Sequence, residues 1–265
     1  MPDLHRRRSV SQTRLSEILV AALDGWSVDH PGREVVDLGG GTGGMAIGLG
    51  ERGYRVRVVD PSPDALAALG RRTAEVHLND SVSGLQGDAT DLVEVVGATS
   101  TDLVVCHKVL EVVDDPGQAL AAIRTVLRPC GALSLVVTQR HAAVLTQAIG
   151  GPKAAGHHPQ GAPGAFCSGA GPPLVGGGHI AQAHRTWAAP GMFDRGQVLT
   201  LVRRAGFEVV ATHGVGAIAD HVAESVLDSE AGAHAELLAL EAEVATDAAF
   251  QALAPLLHVF ATRTS

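Results

Sequence analysis

Three observations predict an α/β fold, doubly wound on a mostly parallel sheet with helices on both faces. Apolar strand-like runs alternate with helix-like segments through the first 140 residues. The first of those runs stops at a cluster of glycines, Gly39-Gly40-Gly41-Thr42-Gly43-Gly44. Acidic residues, Asp37, Asp60 and Asp88, stand at the ends of the first three runs. In such sheets the right-handed crossovers gather the C-terminal strand ends on one edge, where ligands bind.

The elements follow in order. Leu15, Ile18, Leu19, Ala22 and Leu23 recur at helical spacing, and Pro31-Gly32 ends that segment, so residues 1–33 read as an N-terminal helical cap. Residues 34–265 form the main domain, with an insert at 150–190. Its strands are expected at 34–38, 56–60, 82–85, 103–106 and 133–137, with helices at 45–51, 64–72 and 119–127 between them. Arg128-Pro129-Cys130-Gly131 closes the last of these helices. The insert is rich in glycine and proline, the composition of a lid, with Trp187 and Phe193 as its apolar anchors. Beyond it, 195–205 reads as a helix, 207–210 as a strand, 231–245 as a helix and 256–261 as a last strand. These two late strands bring the sheet to seven.

Composition bounds the function. A chain of 265 residues that is 46% hydrophobic buries a sizeable core and is not disordered. It has no continuous apolar run long enough to span a bilayer, and its basic start lacks the apolar stretch of a secretory signal. Three widely spaced cysteines, Cys106, Cys130 and Cys167, give neither a disulfide framework nor a zinc spacing, which suits a reducing, cytoplasmic setting. A net charge of −8 argues against non-specific binding to phosphate backbones.

The glycine cluster carries the most chemistry. Glycines after a strand let the backbone turn sharply against a ligand, and the following helix offers unpaired amides. Gly39, Gly41 and Gly44 also fit the dinucleotide fingerprint. The acids decide between the two ligands. A carboxylate at Asp37 repels a pyrophosphate and suits an amino-acid ammonium group. Asp60, 21 residues after Gly39, is placed to accept ribose hydroxyls. Asp88, in Gly87-Asp88-Ala89, is placed to accept an adenine amine. The ligand so described is S-adenosyl-L-methionine rather than NAD.

At these residues the sequence resembles the class I S-adenosylmethionine-dependent methyltransferases. VVDLGGGTG, VRVVDPS, GDATDL, DLVVCHKVLEVVDDP and LRPCGALSLV carry the likeness over residues 34–138. CHKVLEVVDDP, LRPCGALSLVV, RRAGFEVVATHGVGAIADHV and LLHVFATR extend it to the SmtA-like group, which includes tRNA wobble-uridine carboxyl methyltransferases. The resemblance implies a Rossmann-like seven-stranded sheet whose last strand is antiparallel. It implies a cofactor shell of Arg14, Asp37, Gly39, Gly41, Gly43, Asp60, Asp88, Ala89, Cys106 and His107. Arg14 there matches an arginine that clamps the methionine carboxylate. The segment before the sixth strand's helix carries fewer positive charges than in the tRNA enzyme, and Arg6, Arg7, Arg8, Arg140, Arg185 and Arg195 are the arginines left to form a small patch. Two acceptor classes therefore stand: a tRNA, or a small molecule held under the insert.

Methyl transfer asks the protein for alignment and exclusion of water. An ionised carboxylate acceptor needs no base, whereas a phenol or an ammonium must lose a proton. His107, just past the fourth strand, is the first candidate for a catalytic base, with Glu111 one helical turn on and His141 after the fifth strand; the alternative is that all three bind substrate or cofactor by hydrogen bonds, with His107 serving packing or the cofactor shell. No Asn-Pro-Pro-Tyr motif follows the fourth strand, which disfavours amino-group methylation of adenine or glutamine. Cys106 has nothing beside it in sequence to activate a thiolate. His157, His158, Cys167, His179 and His184 match no closed tetrahedral spacing, so no metal site is expected.

Overall fold

The computed structural model describes residues 9–150, 191–229 and 231–264. Its framework is one seven-stranded sheet in the order β3-β2-β1-β4-β5-β7-β6. The strands are β1 (Glu34–Leu38), β2 (Arg55–Asp60), β3 (Val82–Gln86), β4 (Thr101–His107), β5 (Leu127–Thr138), β6 (Phe207–Val215) and β7 (Leu256–Arg263). β1 to β5 pair in parallel, and β7 lies antiparallel between β5 and β6. The expected Rossmann-like architecture with its antiparallel last strand is the one observed.

The helices are α1 (Val10–Trp26), α2 (Gly44–Glu51), α3 (Pro63–Glu75), α4 (Leu92–Val96), α5 (Pro116–Val126), α6 (Arg140–Gly150), α7 (Arg195–Arg204), α8 (Glu224–Ser229), α9 (Ala233–Val244) and α10 (Ala248–Leu253). The starts are written in the sequence. Ser9 and Gln12 form a capping box on α1, Asp194 and Gln197 another on α7, and Asp115 caps α5 ahead of Pro116. Each cap is worth about 1 kcal/mol.

The sheet is apolar on both faces, so both must be covered. α1, α2 and α3 cover one, where Leu19, Leu23, Ala46, Leu49 and Leu69 pack on Val35, Val56, Val58 and Val105. α4, α5 and α7 cover the other, where Leu92, Leu120, Ile123 and Val202 pack on Val36, Val104, Cys106 and Leu135. Leu19 and Leu23 are wholly buried, and each contributes roughly 1.5–3 kcal/mol to holding α1 on the sheet.

Several boundaries differ from the sequence reading. Arg128-Pro129-Cys130-Gly131 does not close α5 as a turn. It forms an outward bulge within β5, which pairs with Thr101 through Leu127 and with Leu103 through Ala132. Asp102 holds that bulge by accepting from Arg128 at 2.7 Å. β6 runs five residues beyond Val210, because it pairs with β7 along its length. The helices α4, α6, α8 and α10 were not anticipated. Three of them have only five or six residues, too few for a periodic pattern to show. Residues 108–114 form turns, so Glu111 is not one helical turn beyond His107. Phe193 is core, 8% exposed, and its residue bridges to Gln139. Trp187, Arg185, Arg6, Arg7, Arg8, Cys167 and the histidines of the insert lie outside the described residues, as does the insert itself from 151 to 190.

Candidate functional site

The C-terminal ends of β1, β2 and β4 meet at the glycine loop. Gly39, Gly41 and Gly43 all have positive φ, of 70°, 56° and 77°. That run of left-handed residues turns the chain from β1 into α2, and side-chain-bearing residues adopt it only at a cost. The packing leaves no room for side chains either. A Cβ on Gly39 would lie 2.6 Å from Val109, and one on Gly43 would lie 2.2 Å from Leu69. The loop is pinned from three sides: the Gly39 amide donates to Val59 at 2.7 Å, the Gly41 amide to Asp60 at 2.9 Å, and the Arg72 guanidinium to the Thr42 carbonyl at 2.6 Å.

Asp37 does not stand at the loop's mouth. Its side chain lies beneath Gly40, whose Cβ, were there one, would fall 2.4 Å from Oδ2. Asp37 is 3% exposed, and Oδ2 has no hydrogen-bond partner. Burial, reinforced by the nearby Asp60 carboxylate, pushes the Asp37 carboxyl up to about 7. A buried carboxylate oxygen without a donor is costly, and a cationic ligand group at the loop would relieve it.

Asp60 ends β2 with both carboxylate oxygens engaged. Oδ2 accepts from the Gly41 amide and Oδ1 from the Ser62 amide, each at 2.9 Å. Those bonds fix the side chain and leave each oxygen a lone pair for a ligand donor. Asp88 is fixed in a similar way, its Oδ1 accepting from the Thr90 amide at 2.6 Å and from the Thr90 hydroxyl at 2.5 Å. Those bonds hold its carboxyl below the usual range. Ala89 beside it is buried. A cavity of about 350 Å³ opens here, lined by Pro61, Gln86, Gly87, Asp88 and Asp91. Asp91 escaped the sequence reading; it accepts from the Asp88 amide at 2.7 Å and sets that corner.

Past β4 the surroundings turn apolar. Cys106 is fully buried, which raises its thiol well above the ordinary range and keeps it protonated. His107 is pushed down to about 3, chiefly by burial, and its Nε2 lies 2.9 Å from the Ser134 hydroxyl. Glu111 accepts from the Thr138 amide at 2.6 Å through Oε1, its Oε2 is buried without a partner, and burial raises its carboxyl. His141 stands exposed on the first turn of α6. Arg14 binds Glu17 at 3.1 Å and lines a second cavity, of about 430 Å³, between α1 and the β6–β7 end of the sheet. The bonds that pin the glycine loop come from Val59, Asp60 and Arg72 rather than from Arg14. Among the described residues no group of three or more His, Cys, Asp or Glu could hold a metal ion. No described helix is long and apolar enough to cross a membrane.

The sheet order, the left-handed glycine turn and the acids at successive strand ends are those expected of a class I S-adenosylmethionine-dependent methyltransferase, and the comparisons with known proteins show the chain to be similar to that class. Residues 36–135 match the family model of the methyltransferase domain. The tRNA 5-carboxymethoxyuridine methyltransferase of Escherichia coli K12 is 26% identical over 229 residues, covering 86% of this chain and 79% of that protein. A ubiquinone biosynthesis O-methyltransferase of Cupriavidus pinatubonensis is 30% identical over 122 residues, 45% of this chain and 47% of that one. In fold, the chain is similar to a geranyl diphosphate methyltransferase solved with S-adenosylmethionine, with a TM-score of 0.57 at 15% identity, covering 94% of this chain and 85% of that one.

Proposed function

We propose that this methyltransferase moves a methyl group to an oxygen acceptor by direct displacement, with the cofactor lying across the glycine loop and the acceptor beside His107. The observation that carries the reading is the unpartnered Asp37 Oδ2 beneath Gly40. S-adenosylmethionine supplies an electrophilic methyl group on a sulfonium. In this reading Asp37 takes the amino-acid ammonium, and Gly39, Gly41 and Gly43 let the amino-acid tail approach the backbone. Asp60 accepts from the ribose hydroxyls. Asp88 and Ala89 border the adenine and Cys106 forms part of the floor, while Arg14, beside His213 at the β6–β7 end of the sheet, stands apart from this shell. His107, neutral at physiological pH, faces the acceptor. The residues thus contribute alignment and dryness, which lower such barriers by roughly 7–11 kcal/mol.

Two acceptors have support. The 26% identity to the tRNA enzyme favours a wobble uridine. The net charge of −8 favours a small molecule, as do the ion pairs Arg52–Asp24, Arg55–Glu34 and Arg128–Asp102, which occupy arginines that phosphates would otherwise use. Calorimetry is expected to show S-adenosylhomocysteine binding and no NAD binding; the reverse ranking overturns the reading. Nucleoside mass spectrometry of tRNA from a deletion strain separates the acceptors, since unaltered wobble nucleosides leave the small molecule.

A further inference from the structure

Three histidines lie in one register row across four strands. His107 on β4 is paired with Val136 on β5, Val136 with His258 on β7, and His258 with His213 on β6. Ser134, two residues before Val136, shares their face of the sheet. The side chains are joined end to end. His107 Nε2 lies 2.9 Å from Ser134 Oγ, Ser134 Oγ lies 3.0 Å from His258 Nε2, and His258 Nδ1 lies 3.1 Å from His213 Nδ1. The His258 and His213 rings stack with centroids 5.4 Å apart. Ser134 and His258 are wholly buried, each between apolar strand neighbours, Leu133 and Leu135 for the serine and Leu257 and Val259 for the histidine. His213, at the far end, is part-buried and lines the cavity under α1.

Polar groups in a sheet interior need a reason, since valine would pack there without a desolvation cost. Each neutral imidazole has one donor and one acceptor nitrogen, and a hydroxyl has both. The four groups therefore satisfy one another in a single direction or in its reverse. Burial lowers all three histidines, and cations reinforce it at both ends: Lys108 beside His107, and Arg14 on α1, itself bound to Glu17, facing His213. On the outer side of β6, Arg195 from α7 reaches Thr212 and Gln251. No described acid pairs with any of the three rings by ion pair or hydrogen bond, so no carboxylate offsets that lowering.

We propose that His107, Ser134, His258 and His213 form a proton relay, and that the methyl acceptor is therefore a hydroxyl, which must lose its proton, rather than a carboxylate, which has none to lose. The proposal rests on the acceptor lying beside His107. As the acceptor oxygen bonds to the methyl carbon and the carbon–sulfur bond breaks, the hydroxyl proton passes to His107 Nδ1. His107 Nε2–H passes its proton to Ser134 Oγ, Ser134 O–H to His258 Nε2, His258 Nδ1–H to His213 Nδ1, and His213 Nε2–H to water in the cavity. One proton leaves for each methyl transferred, and the tautomers revert through exchange with water at both ends. His107 is the catalytic residue in this scheme; Ser134, His258 and His213 act through it.

The test uses the full chain and the variants Ser134→Ala and His258→Phe, with S-adenosylhomocysteine calorimetry as the control that the cofactor site stands. Nitrogen-15 spectra of labelled histidines report each ring's tautomer. The relay expects one fixed tautomer pattern, and expects Ser134→Ala to change the tautomer populations of His213, two bonds away along the chain. An unmoved His213 overturns it. Caffeate, which offers both hydroxyls and a carboxylate, serves as the acceptor probe with labelled S-adenosylmethionine. An ether product whose kcat falls at least about tenfold in both variants, with a displaced pH profile, supports the relay. An ester, or an ether formed at unaltered rate, overturns it. Where caffeate takes no methyl, the histidine spectra decide alone. Loss of S-adenosylhomocysteine binding by the unmodified chain would instead mark a failure of the cofactor reading.

Discussion

Asp37 and Asp60 face one glycine loop from adjacent strands, and the loop's amides satisfy only one of them. Asp60 receives the Gly41 and Ser62 amides, while Asp37 Oδ2 sits under Gly40 with no donor. The loop thus sits over one anchored acid and one acid whose buried oxygen has no donor.

If Asp37 takes the cofactor's ammonium group as proposed, cofactor binding is expected to be proton-linked. Asp37 rises from 3.8 to about 7 in the folded protein, so the fold binds its proton more tightly than the unfolded chain does. Its contribution to stability is complete below its unfolded value and is lost as the pH rises through about 7. An ammonium group needs the ionised form. Affinity for S-adenosylhomocysteine is therefore expected to be flat above about pH 7 and to fall toward tenfold per unit below it. Calorimetry in two buffers of different ionisation enthalpy checks this through the proton released. Asp37→Asn should abolish the linkage and weaken binding.

Asp60→Ala removes the acceptor for two backbone amides as well as the proposed ribose contact. Binding is expected to weaken by about 1–3 kcal/mol. An affinity equal to that of the unmodified chain would take Asp60 out of the site.

Gly43→Ala places a side chain at φ 77°, which costs about 1–2 kcal/mol, and drives a Cβ into Leu69. The expected result is a lower melting temperature together with weaker S-adenosylhomocysteine binding. Gly48, where an added Cβ meets nothing within 4 Å, is the control: Gly48→Ala should keep both.

Glu241 is buried on α9 and accepts from the amides of Gly216, Ile218 and Ala219 at 2.7–3.1 Å. Glu241→Ala strands all three. A loss of about 3 kcal/mol or more is expected in urea unfolding, with an unchanged slope and with S-adenosylhomocysteine binding retained.

The sequence by itself determined the sheet, the glycine turn and the acids at the strand ends. Those features are local: apolar runs of strand length, glycines where φ must be positive, and carboxylates at fixed distances along the chain. Val35-Val36-Asp37-Leu38 followed by the glycines announces a ligand loop before any contact is known. Tertiary structure decided what no local pattern carries. It buried Asp37 rather than exposing it, and it turned Arg128-Pro129-Cys130-Gly131 into a bulge of β5 because Asp102 on the neighbouring strand holds Arg128. It also drew His107, Ser134, His258 and His213 into one row although 151 residues separate the first histidine from the one on β7. The only trace of that row in the sequence is a polar letter set within an apolar stretch, as the histidine in LLHVFA. Pairing across β4, β5, β7 and β6 is non-local, so only the register of the folded sheet could give those letters partners.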